Sequence, residues 1–400
     1  EGRTSGTINA SSINTLTGAA ADLNTAYTSA GISGLNNEAV TLSDTTLAVS
    51  VLNDLDGRTS GTINAGSVNT LTGSAADLNT AYTSAGISGL NNEAVTLNDT
   101  TLAVSVLNTL DGRTSGAINA SSINTLTGSA ADLITAYDSG GITGLGNETV
   151  NVNSGTASTS QANALAADTS GVVTATISDG GMETLAGLTE TGNAYSITIT
   201  DNSVAAAALN ALDGKTSVAI NANAITTLSG SAADLITAYD SGGISGLGNE
   251  AVNVNSGSAS TSQANALAAD TSGVVTATIS DGDMATLAGL TETGNAYSIT
   301  ITDNSVAAAA LNALDGKTSV AINASNITTL TGAAADLNTA YTANGNGSIS
   351  GLGNEAVTLS DTSLAVSVLN TLDSNTSGTI NASNITRLTG SATDLITAYN

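Results

Sequence analysis

The residues best able to do chemistry in this chain are aspartates that return at one place in a repeating pattern. Asp44, Asp99, Asp201, Asp303 and Asp361 each follow a short alternating run such as Val40-Thr41-Leu42-Ser43, and Asp179 and Asp281 hold a related place. Carboxylate oxygens are hard donors of the kind calcium takes, and a strongly acidic chain draws divalent cations toward them. An aspartate ahead of a helix also caps its free N–H groups, worth about 0.5–2 kcal/mol. Capping is the simpler of the two readings, because neither EF-hand spacing nor the GGxGxDxUx nonapeptide occurs. Calcium at these seven positions stays open, and no other cofactor is expected.

Other chemistry finds little support. The chain has no His and no Cys, which removes the usual general bases, thiolate nucleophiles and zinc ligands. Asp22, Asp77, Asp132, Asp234 and Asp336 recur in ADL, with Asp394 in its TDL variant. An active site occurs once, so acids that recur with a repeat speak against an enzyme. Lys215-Thr216 and Lys317-Thr318 resemble the end of a P-loop, but Leu209 and Leu311 stand where its first glycine belongs. Gly243 to Gly248 reads GxxGxG rather than GxGxxG. Asn-x-Ser triplets at Asn9, Asn119 and Asn381 arise readily in a chain this rich in Asn and Ser. Outward threonines such as Thr198 and Thr200 are most simply solvated strand surface, with an ice- or sugar-binding face as the alternative.

These residues need a scaffold, and the pattern predicts one. Val40 and Leu42 alternate with polar residues, as in a strand with one buried face. Asp44 then stands where an N-cap belongs, ahead of a helical stripe of Leu47, Val51 and Leu55 flanked by Ala48 and Leu52. Gly57 is placed to end that helix in a left-handed conformation. From Ser196 to Ser217 the same grammar returns: Ile197 and Ile199 in a strand, Asp201 as cap, a stripe of Val204, Ala208 and Leu212, then Gly214. A longer unit, residues 7–38, begins with a brief strand at Ile8 and Ala10, capped at Ser11 or Ser12. Ile13, Leu16, Ala20, Leu23 and Tyr27 follow at helical spacing. Gly18 interrupts them, predicting two short helices or one kinked helix. GISGLNNEAV closes the unit as a turn-rich link with a small strand.

The repeat unites these units. GRTSG-type sequences headed by Gly2, Gly57 and Gly112 recur at 55 residues; the next two intervals, to Gly214 and Gly316, are 102, and the last, to Ser374, is 58. Modules of 55 residues therefore occupy about 1–148 and 353–400, and modules of 102 residues about 149–250 and 251–352. Each 102-residue module adds two units. One has Ser160 preceding a helix with Ala162 and Leu165; the other has Ile177 in a strand and Asp179 capping a helix with Met182, Leu185 and Leu188. Asn344, Gly345 and Asn346 read as a loop insertion. The chain is expected to be one continuous slice of a longer array.

Fifteen strand-bearing coils of about 22–32 residues make an α/β solenoid, with a parallel β-sheet along one side and short helices along the other. At roughly 4.8 Å per coil the rod would be about 70 Å long. Its plan is that of a straightened leucine-rich repeat without the asparagine ladder. Tyr27, Tyr82, Tyr137, Tyr239, Tyr341 and Tyr399, all in TAY, read as half-buried lids on the long units.

Composition narrows the partners. Of 400 residues 40% are hydrophobic, so material for an extended core is present. Lys and Arg total 6 against 33 Asp and Glu, for a formal charge of -27, which argues against a nucleic-acid partner. No window resembles a membrane span or a secretory signal.

The run from Thr70 to Gly116, TLTGSAADLNTAYTSAGISGLNNEAVTLNDTTLAVSVLNTLDGRTSG, resembles the repeats of giant cell-surface proteins of marine cyanobacteria, including the type associated with swimming motility. Through its copies the resemblance covers nearly the whole chain. It implies an extracellular or cell-surface location and a structural, adhesive or motility-linked role, and it carries no defined functional residues. The leading expectation is an extracellular rod, filament or coat whose copies self-associate. The alternative is the stalk of a calcium-dependent adhesin that projects a terminal binding domain toward a glycan or cell-envelope partner.

Overall fold

A computed structural model describes residues 5–399. Glu1 to Thr4, where the first GRTSG copy starts, and Asn400 lie outside the described residues. The chain divides into two compact units. One runs up to Ile197 and takes in Gly214–Val218; the other comprises Thr198–Asp213 and Ala219 onward. Each is an α/β solenoid in which every strand pair is parallel, and fifteen helices occur among the described residues.

The first unit opens with β1 (Ile8–Asn9), β2 (Thr15–Gly18), α1 (Ala20–Thr28) and β3 (Ile32–Ser33). Next come β4 (Ala39–Leu42), β5 (Thr46–Ala48) and α2 (Val49–Asp56). They are followed by β6 (Ile63–Asn64), β7 (Thr70–Gly73), α3 (Ala75–Thr83), β8 (Ile87–Ser88), β9 (Ala94–Leu97), β10 (Thr101–Ala103) and α4 (Val104–Asp111). The predicted strand at Val40 and Leu42 is β4, and the small strand in GISGL is β3.

Several local expectations are corrected. Leu47 belongs to a strand, not to the helix: β5 pairs with β7, Leu47 beside Leu71. The helix behind it buries Val49, Leu52 and Leu55 at a spacing of three, so Val51 lies off the core face. In the second unit, likewise, Val204 is in a strand, and Ala206, Leu209 and Leu212 are the buried helical residues. The stretch before Gly18 is β2 rather than a first short helix. Gly57 has φ -71° and ψ -7°, a right-handed conformation, because its N–H still bonds to the Asn53 carbonyl at 3.1 Å. Ser158, not Ser160, begins the helix Thr159–Asp168, sharing a capping box with Gln161. The residues 344–346 form no loop; they lengthen a helix to Ala334–Asn346.

The core is made of apolar rows stacked in register. Leu47, Leu71, Val95, Ile118 and Ile142 stand one on the next across five strands, each 9% exposed or less. Burying such a side chain stabilises by about 1.5–3 kcal/mol, a gain available only when a neighbouring coil covers it. Helix packing adds an asparagine ladder, contrary to expectation. Asn53 Nδ2 donates to the Asp77 carbonyl at 3.0 Å, Asn108 to Asp132 at 2.9 Å and Asn312 to Asp336 at 2.9 Å, each 24 residues on.

Strands and helices keep different periods. Most paired strand residues are 24 apart, as with Thr46 and Thr70 or Thr70 and Ala94. Helices α1 to α4 instead start at Ala20, Val49, Ala75 and Val104, which gives the 55-residue sequence repeat for every two. Two strand steps fall seven residues short of that repeat. Each row therefore slides back from the helices: β5 starts three residues ahead of α2, and β9 ten ahead of α4. A new row starts at each TLA tripeptide; the row from Thr46–Ala48 ends after five strands, whereas in the second unit the row from Ser203–Ala205 carries on past its fifth strand through bridges of Asn295 to Thr318 and Thr300 to Asn323, for seven in all. The sheet predicted along one side is thus a set of short, overlapping parallel rows.

Candidate functional site

The seven aspartates lie just beyond strand ends, where the chain turns toward its next helix. That position brings each carboxylate to a helix, but not the one that follows it. Asp44 Oδ2 accepts from the N–H of Ala20, first residue of α1, at 2.8 Å and 24 residues upstream. Asp99 accepts from Ala75 and Asp361 from Ala334, both at 2.8 Å. Asp179 takes Thr159, Asp281 takes Thr261 and Asp303 takes Met284, each at 2.6 Å. Asp201 matches Asp303 in sequence and is half-buried. The capping expectation is therefore corrected in its object: Asp44, Asp99, Asp179, Asp281, Asp303 and Asp361 cap the helix of the preceding coil. Their own helices begin without them, at Ala48 for α2 and Gly181 for Met182–Leu185.

The physical reason is the row geometry. Parallel stacking sets the end of one strand beside the start of the previous coil's helix, whose first N–H groups have no intrahelical partner. A carboxylate there also meets the positive end of the helix dipole. The Thr159 N–H holds the Asp179 carboxyl below the usual range. Each aspartate stands in its own coil, and among the described residues no group of three or more acidic side chains is arranged to hold a metal ion. Two acids do approach each other: burial, then the charge of Asp138, pushes the Asp168 carboxyl up, and Asp240 acts likewise on Asp270.

A second recurrent cluster escaped the sequence reading. Glu38, Glu93, Glu148, Glu250 and Glu355 are 1% exposed or less, an uncommon state for a carboxylate unless it is paired. The TAY tyrosines pair them. Tyr27 donates to Glu38 at 2.9 Å, Tyr82 to Glu93 at 3.0 Å, Tyr239 to Glu250 at 2.8 Å and Tyr341 to Glu355 at 3.1 Å, with Tyr137 bonded to Glu148. Backbone N–H groups complete the ring: Asn36 and Asn37 on Glu38, both 3.1 Å, and Gly248 and Asn249 on Glu250. Thr59 of the next coil donates to the Glu38 carbonyl at 3.2 Å, and Gly61 passes so close to that carbonyl that no side chain fits.

These bonds set the titration of the cluster. Burial pushes the Glu38 carboxyl up, but its backbone donors and the Tyr27 hydroxyl outweigh burial and leave it below the ordinary value. Burial is the first cause that pushes Tyr341 up to about 12, with Glu355 adding to it. Tyr82, Tyr137 and Tyr239 move the same way. The lid reading of the tyrosines is thus incomplete: five point their hydroxyls at a buried acid. The available signal was a fixed interval, since each of the first four glutamates follows its tyrosine by 11 residues.

No helix among the described residues is long and apolar enough to cross a membrane. A comparison against protein families finds none that matches the chain, and a comparison against curated proteins finds no similar sequence.

Proposed function

We propose that the chain is a non-enzymatic structural repeat protein that forms an extracellular rod, filament or cell-surface coat. One observation carries this reading: the recurrent acids are taken up by bonds that join coils or brace a coil's own turn. Asp44 is bonded to the preceding helix and Glu38 to Tyr27 and its own loop, which ties up the groups an enzyme would need free. The resemblance to giant cell-surface proteins of marine cyanobacteria supports a location outside the cell.

The second reading, the stalk of a calcium-dependent adhesin, draws on the -27 charge and the seven strand-end aspartates. Electron microscopy of the purified protein with calcium and with chelator separates the two. Filaments or sheets in both conditions support the structural role. Isolated rods in both would favour the stalk, assembly lost in chelator would make calcium part of the function, and a compact globule would sink both readings.

A further inference from the structure

One joint in the chain departs from the repeat. In three regular copies a serine donates to the aspartate that ends the preceding coil's helix: Ser84 to Asp56 at 2.6 Å, Ser139 to Asp111 at 2.8 Å and Ser241 to Asp213 at 2.6 Å. Two residues on, Gly86, Gly141 and Gly243 lie so close over the carboxylate Oδ1 that a Cβ would collide with it. Those joints are sealed. At Asp315 the residues 344–346 alter the arrangement: the helix Ala334–Asn346 gains a turn, Gly347 ends it at φ +84°, and Ser348 replaces the sealing glycine. Ser348 Oγ donates to Asp315 Oδ2 at 3.0 Å. Asp315 Oδ1 has no hydrogen-bond partner, the only buried carboxylate oxygen of that kind among the described residues. Beside it lies an open groove of about 380 Å³, with Asp315, Asn338, Thr339, Thr342, Asn346 and Ser348 on its walls.

We propose that this groove binds a neutral saccharide. Its walls are rich in acceptors: Thr339 and Thr342 donate their protons to the Ala335 and Asn338 carbonyls at 2.9 and 2.7 Å, which leaves hydroxyl lone pairs facing outward beside the Asp315 carboxylate. A ligand that brings many O–H donors fits such walls, and an amide such as that of Asn346 serves adjacent hydroxyls through both its atoms. The -27 charge of the chain repels anions. The only apolar walls are alanines, which offer a hydrophobic ligand little area.

The test uses the full chain and saturation-transfer NMR with glucose, galactose, mannose and their disaccharides. Transfer to at least one sugar is expected. It should vanish when residues 344–346 are deleted together with Ala343→Ser and Ser348→Gly, which gives the Ser-Gly-Gly sequence of the sealed joints, and circular dichroism checks that this variant keeps its fold. Asp315→Asn, which removes the carboxylate charge behind the groove wall, and Asn346→Ala, at an exposed site, should each bind several-fold more weakly. Absence of transfer to every sugar, or equal transfer in the deletion variant, overturns the proposal. The outcome does not depend on whether rods assemble.

Discussion

Asp361→Ala tests the capping of one coil by the next. The helix it serves starts at Ala334 behind Ala333, which has no side chain able to cap, so the Asp361 carboxylate at 2.8 Å from the Ala334 N–H is the side-chain acceptor at that end. Losing such a cap costs about 1 kcal/mol, and losing a negative charge near the helix start adds about 0.3–1 kcal/mol, for a total of about 1.3–2 kcal/mol. Asp99 makes a useful contrast. Its helix also has Ser74, whose hydroxyl accepts from Asp77 N–H at 3.1 Å, so Asp99→Ala should cost nearer 1 kcal/mol. A solenoid this long need not unfold in one step, so amide exchange in the helix 334–346 is the better assay, with urea unfolding beside it. A loss of 1.4 kcal/mol speeds exchange about tenfold. If Asp361→Ala exchanges no faster there than Asp54→Ala, an exposed control, coil-to-coil capping is wrong.

Glu93→Ala should cost about 2–3 kcal/mol in urea unfolding, because it strands the part-buried Tyr82 hydroxyl and Asn91 N–H, whereas Tyr82→Phe should cost about 1 kcal/mol. Tyr341 is raised to about 12 from an unfolded value near 10; its contribution is therefore complete below pH 10 and is lost as pH rises toward 12. Phenolate absorbance should accordingly appear together with loss of helical circular dichroism, and free titration of all tyrosines near pH 10 in a folded chain would contradict it. Glu38 is lowered, so its contribution holds above the ordinary carboxyl range and fades as pH falls through it, which acid unfolding of Glu38→Gln against the parent would register. Asp138→Asn removes the charge facing Asp168 and should stabilise by a few tenths of a kcal/mol at neutral pH, read as a small rise in Tm that salt diminishes.

How much of this was legible in the sequence depended on the distance over which each interaction acts. β4 was readable because alternation of Val40 and Leu42 is a local signal. The solenoid was readable because the repeat itself states that coils are interchangeable. β5 was hidden because Thr46-Leu47-Ala48 is only three residues long and its leucine extends a helical stripe equally well; parallel pairing with Thr70 to Thr72 decided the matter. The aspartates read as caps, but capping rules look forward along the chain, and the true partner lies 24 residues behind. Glu38 was passed over because a lone glutamate in an Asn-rich turn normally faces water, and its burial needs Tyr27 and the next coil's Thr59 together. Among the metal candidates, the sequence marked equivalent positions without saying that stacking would hold each in a separate coil.

The seven-residue slip between strand rows and helices has a mechanical side. Within each unit the rows overlap as bricks do in staggered courses, so no seam of hydrogen bonds runs the length of the unit. A tear opened by pulling along one row reaches that row's end within five to seven coils and must then break into a neighbouring course that is still closed. Sequence changes that brought the two periods into step would align the seams, and a chain so altered should rip at lower force although every bond in it was of the same kind.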